Sequence, residues 1–345
     1  MPGGPELKTV NDVAEQTRAG SQNNLIVNAV ENYPRIKAMF EKTRPDVAAI
    51  QFPPNTPALI VGSGSSLDEH IEEIRQWRGV IFATPQTFPV LMSRGIVPQF
   101  VTAVDTSVDD VTPLIGEGNS FTTLITHPSI HPTMFEAWKG PIVFSLVNFD
   151  DECDVLFRAI YPYIQFNVGA QGCVSNMQLI MAKHFGVNPV VMVGMDMQNS
   201  SDGRSSATRW KKVGNWRWEA IPNPKTAVPD EIPIVMQFYR LLLAVIWKGT
   251  GFNLFRIGRG LDLIPEISMA NAGAHNWPAP IPHHEIVKKV DAYTIPEGVY
   301  GAMEKGMISM IEFAERITQK PKNKAEEEAA KKWSKGENGK WRRAI

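Results

Sequence analysis

Three short polar clusters carry residue types that could bind a phosphate, a nucleotide or a metal ion. The first follows the apolar run Ala58–Val61 and consists of Gly62, Ser63, Gly64, Ser65 and Ser66. A strand that ends in such a turn before a helix points backbone N–H groups and the positive end of the helix dipole at an anion. The serines add hydroxyl donors. An ordinary strand-to-helix turn capped by Ser66 explains the same residues, so both interpretations stay open.

The other two clusters also follow predicted strands. Asp105 comes directly after the run 100–104, where an acid can bind a metal ion or a ribose hydroxyl, or can cap the next helix. Asp196 follows the run 189–193 in the same way. The third cluster leads into the helical pattern 173–185 and forms a second candidate anion site or a capped glycine turn; it consists of Gly169, Gln171, Gly172, Ser175 and Asn176.

Two further features could act on a substrate. His127 follows the run 122–125 and is a candidate general base or a structural loop residue. The segment 204–219 alternates cationic side chains with tryptophans, which can stack on sugars or bases and bind acidic groups. We predict that it forms an irregular lid over a nucleotide, with a surface loop as the alternative. Its candidate substrate-binding residues are Arg204, Arg209, Trp210 and Trp216.

The elements that position these residues alternate between strand and helix patterns. Apolar runs at 58–61, 80–83, 100–104, 122–125, 142–145 and 189–193 are separated by helical patterns. This alternation predicts an α/β fold with a doubly wound, mostly parallel, Rossmann-like sheet. Gly62, Asp105, Gly172 and Asp196 should therefore converge at its carboxyl edge, with Thr84 beside them at the end of the second strand.

The ends of the chain have a different character. Residues 1 to about 20 are polar and predict a mobile start, and 24–42 predict a helix interrupted at Pro34. The sequence thus predicts an N-terminal helical extension (1–55), a nucleotide-binding domain (56–267), and a C-terminal helical region with a charged tail (268–345).

Composition limits the possible partners. The chain has 345 residues, 21% of them charged, and a formal net charge of −1, so it offers no strong field for nucleic acid or an anionic membrane. No run approaches the roughly 20 apolar residues of a membrane span. The first residues do not form a signal peptide, and two cysteines do not make a disulfide framework. These features predict a cytoplasmic protein.

The order of the clusters resembles one known family. GSGSSLDE (62–69), VTAVDTS (101–107), the segment 169–197 and the later segments 228–246 and 255–267 resemble the MptE-like domain. That domain occurs in archaeal 6-hydroxymethyl-dihydropterin pyrophosphokinases and in bacterial motility accessory factors (Maf), which are similar in fold to sialyltransferases that use CMP-sialic acid. The familiar pattern G-x-G-P-S-L has proline where this chain has Ser65. The resemblance implies that a nucleotide is surrounded by Gly62, Gly64, Ser66, Asp105, Gly172, Ser175 and Asp196.

The resemblance implies two activities. In the transferase branch, the ligand is a CMP-activated nonulosonic sugar, which is our first expectation. In the kinase branch it is ATP, with Mg²⁺ as a possible cofactor bound by Asp105 and Asp196. A non-catalytic nucleotide-binding or interaction module is the third interpretation. The acceptor is not specified by these residues.

Overall fold

A computed structural model of the protein describes residues 10–106, 114, 121–148, 152–169, 172–204, 206–207, 209–213, 217–221, 225, 227–293, 333–335 and 341–343. In chain order, the strands are β1 (Ala58–Val61), β2 (Val80–Ala83), β3 (Phe100–Ala103), β4 (Thr123–Thr126), β5 (Ile142–Phe144), β6 (Leu146–Asn148), β7 (Asn167–Gly169), β8 (Val190–Val193), β9 (Arg209–Val213), β10 (Arg217–Ile221), β11 (Leu254–Ile257), β12 (Trp333–Lys335) and β13 (Trp341–Arg343).

The helices of the described residues lie between and before these strands. They are α1 (Val10–Lys42), α2 (Leu67–His70), α3 (Phe88–Ser93), α4 (Met134–Ala137), α5 (Glu152–Ile160), α6 (Val174–His184), α7 (Ile234–Thr250), α8 (Met269–Gly273) and α9 (His283–Asp291). Short 3-10 helices occur at Val47–Ala49 and Glu73–Gln76. None of the described helices combines the length and the hydrophobicity that a membrane span requires.

Seven of the described strands form one parallel sheet in the order β11–β8–β1–β2–β3–β4–β5. The predicted α/β fold with a mostly parallel, doubly wound sheet is therefore confirmed. Strand β1 is buried along its whole length because helices cover both faces of the sheet. Its side chains alternate between two cores: Ile60 packs with residues of α6 and α7, whereas Leu59 and Val61 pack with residues of α2 and α3.

The direction of strand addition reverses beside β1. The chain proceeds from β1 through β2, β3 and β4 to β5 on one side, and later adds β8 and β11 on the other side. In open α/β sheets, ligands bind at the carboxyl ends of the strands next to such a reversal. The turns after β1 and β8 are therefore the first place to look for a site.

Helix α1 differs from its predicted form. It begins at Val10 and continues through Pro34 to Lys42, so the described part of the predicted mobile start is helical and Pro34 does not interrupt the helix. Proline removes the N–H that would bond the carbonyl group of Val30. Both Pro34 and Val30 lie on the exposed side of the helix, where water can bond that carbonyl. The opposite side buries Ile36 and neighbouring apolar residues against α5.

The segment predicted as an irregular lid contains regular structure. Strands β9 and β10 form an antiparallel hairpin in which Lys211 pairs with Glu219 and Lys212 with Trp218, so the prediction of an irregular segment was wrong. Two short antiparallel strands, β12 and β13, occur within the predicted charged tail. Most of the C-terminal region beyond residue 293 lies outside the described residues.

Candidate functional site

The glycine-serine turn after β1 packs directly on the loop after β8. The Gly62 N–H donates to the Val193 carbonyl (2.9 Å), and the Gly64 N–H donates to the Gly194 carbonyl (2.6 Å). A Cβ atom on Gly62 would lie 2.5 Å from the carbonyl oxygen of Gly194, and one on Gly64 would lie 2.6 Å from Cγ of Asp196. Close contact between the two loops therefore requires glycine at both positions.

The carboxylate of Asp196 fills the turn. Its side chain is fully buried. One oxygen accepts hydrogen bonds from the Ser66 backbone N–H (2.8 Å) and the Ser65 hydroxyl (3.1 Å), and the other accepts one from the Ser66 hydroxyl. The donors that the sequence assigns to a ligand phosphate are thus used by a carboxylate of the protein itself, which satisfies a buried charge.

Two arginines that the sequence reasoning missed hold this arrangement. Arg259 follows β11, and its Nη2 donates to the Ser65 hydroxyl (3.1 Å) and to a carboxylate oxygen of Glu69 (3.0 Å). Arg240, on α7, is buried and donates to the backbone carbonyls of Asp196 (3.0 Å) and Met197 (3.2 Å). The run Gly258-Arg259-Gly260 directly after an apolar strand was a usable signal for Arg259, because it marks another carboxyl end of the sheet.

The pair of acids predicted to bind Mg²⁺ does not fit that role in this arrangement. Asp105 is exposed just after β3, and β2 lies between β3 and β1 in the sheet. Both oxygens of Asp196 accept hydrogen bonds from Ser65 or Ser66, and the side chain is fully buried, so a metal ion could reach it only if the turn rearranged. Mg²⁺ prefers six oxygen ligands in octahedral geometry and is usually bound by one or two carboxylates. Of the two predicted acids, only Asp105 lies at the surface.

The second predicted anion site lies at the start of α6. Gly172 has φ of +75°, and a Cβ atom there would lie 2.6 Å from the ring of Tyr239 on α7. The Asn176 side chain donates to the Tyr239 backbone carbonyl (3.2 Å), and Ser175 is buried beside it in the first turn. Burial raises the pKa of the Cys173 thiol to about 11. Gly169 ends β7, and Gln171 lies outside the described residues.

Thr84 is engaged in a local turn at the end of β2. Its backbone N–H donates to the Thr87 hydroxyl (2.9 Å), and the two hydroxyl oxygens are 3.1 Å apart. Thr84 is buried. These contacts explain Thr84 as part of the turn that starts α3, and its assignment to a nucleotide stays a prediction.

His127 occupies a fully buried position after β4. Burial lowers its pKa from 6.5 to about 3, because a charged ring would lose its hydration. Its Nδ1 accepts from the Ser129 backbone N–H (3.2 Å) and lies 2.6 Å from the Ser129 hydroxyl, while the ring meets Phe157 edge-on at 4.6 Å. A general base works best with a pKa near the operating pH, so this environment opposes the predicted role of His127.

Two buried asparagines on α1 support the loops at this edge. Asn28 donates to the backbone carbonyls of Thr106 (2.9 Å) and Ser129 (3.0 Å). Asn32 donates to the backbone carbonyls of Pro128 (2.9 Å) and Ile130 (2.8 Å). The sequence reasoning missed both, because α1 also exposes apolar residues such as Val27 and Val30, so the sequence does not show which side of the helix is buried.

The segment just before the β9–β10 hairpin contacts α2 and the glycine-serine turn through Arg204 and Ala207. Arg204 pairs with Asp68 on α2 (2.7 Å) and with Asp202 (3.0 Å). The Ala207 N–H donates to the Ser63 carbonyl (2.8 Å). The backbones of Arg209 and Trp210 begin β9, and Trp216 lies outside the described residues. A lid role for this segment stays a prediction.

The fold and the position of the reversal define a doubly wound α/β protein whose candidate site lies at the ends of β1, β8 and β11. Residues 23–202 match the sequence model of a family described as 6-hydroxymethylpterin diphosphokinase MptE-like. Because this match covers more than half of the chain, the protein belongs to the MptE-like family. The resemblance found from the sequence is thereby confirmed, and membership supports a transferase. The predicted division into 1–55, 56–267 and 268–345 stays a prediction.

Individual relatives match over limited lengths. An uncharacterized protein of Treponema pallidum (strain Nichols) is 44% identical over 52 residues, which are 14% of this chain and 25% of that protein. The solved structure of a Maf glycosyltransferase from Magnetospirillum magneticum AMB-1 is similar with 21% sequence identity and a TM-score of 0.47. The match covers 74% of this chain and 40% of that one. The chain thus spans less than half the length of either relative.

Proposed function

We propose that the protein is a glycosyltransferase whose donor is a nucleotide-activated acidic sugar of the CMP-nonulosonic type. Family membership supports a transferase. The choice of sugar donor rests on one observation: the Asp196 carboxylate accepts hydrogen bonds from Ser65 and Ser66. A transferred phosphoryl or diphosphoryl group needs metal ions to neutralise its charge, and Asp196, one of the two acids predicted for that purpose, is buried and already bonded to the turn. A CMP-activated sugar carries one phosphate, which fixed donors and a cation can bind.

The surroundings of the turn supply groups for such a reaction. When the sugar leaves, negative charge develops on the CMP phosphate, and donors aimed at that phosphate stabilise the transition state. Ser63 and Gly64 are the partly exposed members of the turn; because the Gly64 N–H is bonded to the Gly194 carbonyl, Ser63 is the one that would face the donor. The acceptor hydroxyl requires a base. Because His127 is buried, Asp105 is the better candidate of the two, as it lies exposed at the carboxyl end of β3.

A diphosphokinase is the second candidate, and the description of the matching family favours it. In that reaction, a diphosphoryl group would pass from ATP to a pterin alcohol with Mg²⁺ present. The candidate requires Asp196 to leave Ser65 and Ser66 when the nucleotide binds, or requires other acids to bind the metal.

Calorimetry distinguishes the two candidates. CMP and ATP are titrated into the protein with EDTA and with excess Mg²⁺, using the wild type and Asp105→Asn. We expect CMP to bind in EDTA, and Asp105→Asn to leave CMP binding intact while slowing sugar transfer. ATP binding that disappears with EDTA and in Asp105→Asn, with no response to CMP, would overturn the proposal in favour of the kinase. A protein that binds none of these nucleotides would instead support the non-catalytic module.

A further inference from the structure

Arg259 lies where three neighbouring strands end. It belongs to the loop after β11, yet its Nη2 donates to Ser65 in the turn after β1 and its Nε is 3.8 Å from the Asp196 carboxylate after β8. The side chain is 28% exposed. A ligand at the reversal of the sheet can therefore reach this guanidinium, which no prediction from the sequence included.

Much of the hydrogen-bonding capacity of Arg259 is unused. A guanidinium has five N–H donors. Nη2 makes its two bonds to Ser65 and Glu69, but Nε is buried and makes no hydrogen bond with any residue that the structure describes. The exposed part of the fork carries further donors. Planar guanidinium groups match phosphate oxygens in a bidentate manner, so a phosphate that approaches from the exposed side would bind the outer donors, while Nε stays beside Asp196.

The carboxylate of Glu69 marks the position of a replaceable anion. It bonds Nη2 of Arg259 at 3.0 Å, and its side chain is 59% exposed. Ion pairs at such exposure contribute little to stability, so the exchange of Glu69 for a phosphate costs little. Asp196, by contrast, is buried and bonded to the turn, and it stays in place as the partner that orients the inner edge of the guanidinium.

We propose that Arg259 binds the donor phosphate and that Glu69 occupies this place in the absence of ligand. The inference rests on the proposed function, because it assigns the phosphate of the proposed donor to a residue. It makes two predictions of opposite sign: loss of the arginine weakens phosphate binding, and loss of the competing carboxylate strengthens it.

The test compares CMP with cytidine, which lacks the phosphate, by calorimetry on the full chain. Arg259→Gln should raise the Kd of CMP by about 10-fold to 100-fold, as expected for a bond to a charged group, with less than about a 3-fold change for cytidine. Glu69→Gln should lower the Kd of CMP by about 2-fold to 5-fold. Arg259→Lys should recover part of the affinity because it keeps the charge.

The exposed ion pair Arg94–Glu72, at 2.6 Å, provides matched controls. Arg94→Gln and Glu72→Gln make the same changes of charge and should leave the ratio of the CMP and cytidine Kd values unchanged. An equal change for CMP and cytidine in Arg259→Gln would mean a structural role and would overturn the inference while leaving the proposed function intact. If Arg259→Gln does not fold, Glu69→Gln and Arg259→Lys decide. Absence of CMP binding by the wild type would remove both proposals.

Discussion

The contact between Gly64 and the loop after β8 predicts a large loss of stability in Gly64→Ala. The added Cβ atom would lie 2.6 Å from Cγ of Asp196 and 2.7 Å from the carbonyl oxygen of Gly194, well inside the separation of about 3.5–4.0 Å at which carbon atoms attract. Overpacking of such a close contact costs about 1–3 kcal/mol. Displacement of Asp196 also weakens a bond to Ser66 worth about 1.5–3 kcal/mol. We therefore expect the free energy of unfolding to fall by about 2–5 kcal/mol.

A second glycine provides the matched control. Gly249 lies exposed near the end of α7, and a Cβ atom there would meet nothing within 4 Å. Gly249→Ala should leave the stability unchanged or raise it by about 0.4–1 kcal/mol, because alanine restricts the unfolded chain. The two variants make the same chemical change, and only Gly64→Ala should lower the stability.

Urea unfolding measures both variants. The nine tryptophans give a fluorescence signal, and far-ultraviolet circular dichroism checks that both probes report one transition. A Gly64→Ala protein as stable as the wild type would refute the reasoning, since it would mean that the loop after β8 moves away freely. In that case a requirement for glycine could come only from a ligand.

Two further predictions concern the loops supported by α1. Because burial lowers the pKa of His127 from 6.5 to about 3, the folded protein binds fewer protons than the unfolded chain between these values, so its unfolding free energy should fall by up to about 1.4 kcal/mol for each pH unit below 6.5. His127→Asn should lose this contribution to the slope of unfolding free energy against pH, measured by urea unfolding from pH 7 to pH 4. His131, whose Nδ1 lies beside the Thr133 hydroxyl at a partly exposed position, provides the control, and His131→Asn should keep the slope of the wild type. Equal slopes in all three proteins would contradict the assignment. Asn32→Leu leaves two buried carbonyls without their donor and should cost about 2–4 kcal/mol, whereas Asn24→Leu on the exposed side of α1 should change stability by less than about 0.5 kcal/mol. Equal melting temperatures of the two asparagine variants would show that these hydrogen bonds do not stabilise the loops.

The main sheet could be predicted because its strands are buried on both faces. A strand covered on both sides consists of a continuous apolar run, and Ala58–Val61 and Val80–Ala83 occur where such runs predict them. The alternation of these runs with helical patterns restricts the connections to parallel crossovers. Local composition therefore carries most of the information about the sheet.

The contacts within the site could not be predicted in the same way. Asp196 and Ser66 are 130 positions apart in the chain, and the sequence placed both at one edge without showing that they would bond to each other. Whether a turn binds a ligand or a carboxylate of the protein depends on loop geometry, which has no local signature. The hairpin β9–β10 was missed for another reason: its cationic and aromatic residues hide the alternation that identifies a strand, although Gly214-Asn215 is a turn signal in the sequence.

The replacement of a familiar proline by Ser65 gains a physical meaning from these contacts. The Ser65 hydroxyl donates to Asp196 and accepts from Arg259, so it connects the ends of β1, β8 and β11. Proline has neither a hydroxyl nor a backbone N–H, and with proline at this position Arg259 would have no such bond to the turn. The departure from the family pattern thus lies at a residue that fixes Arg259 beside the turn. A chain that binds a phosphate through Arg259 benefits from a guanidinium already held in place.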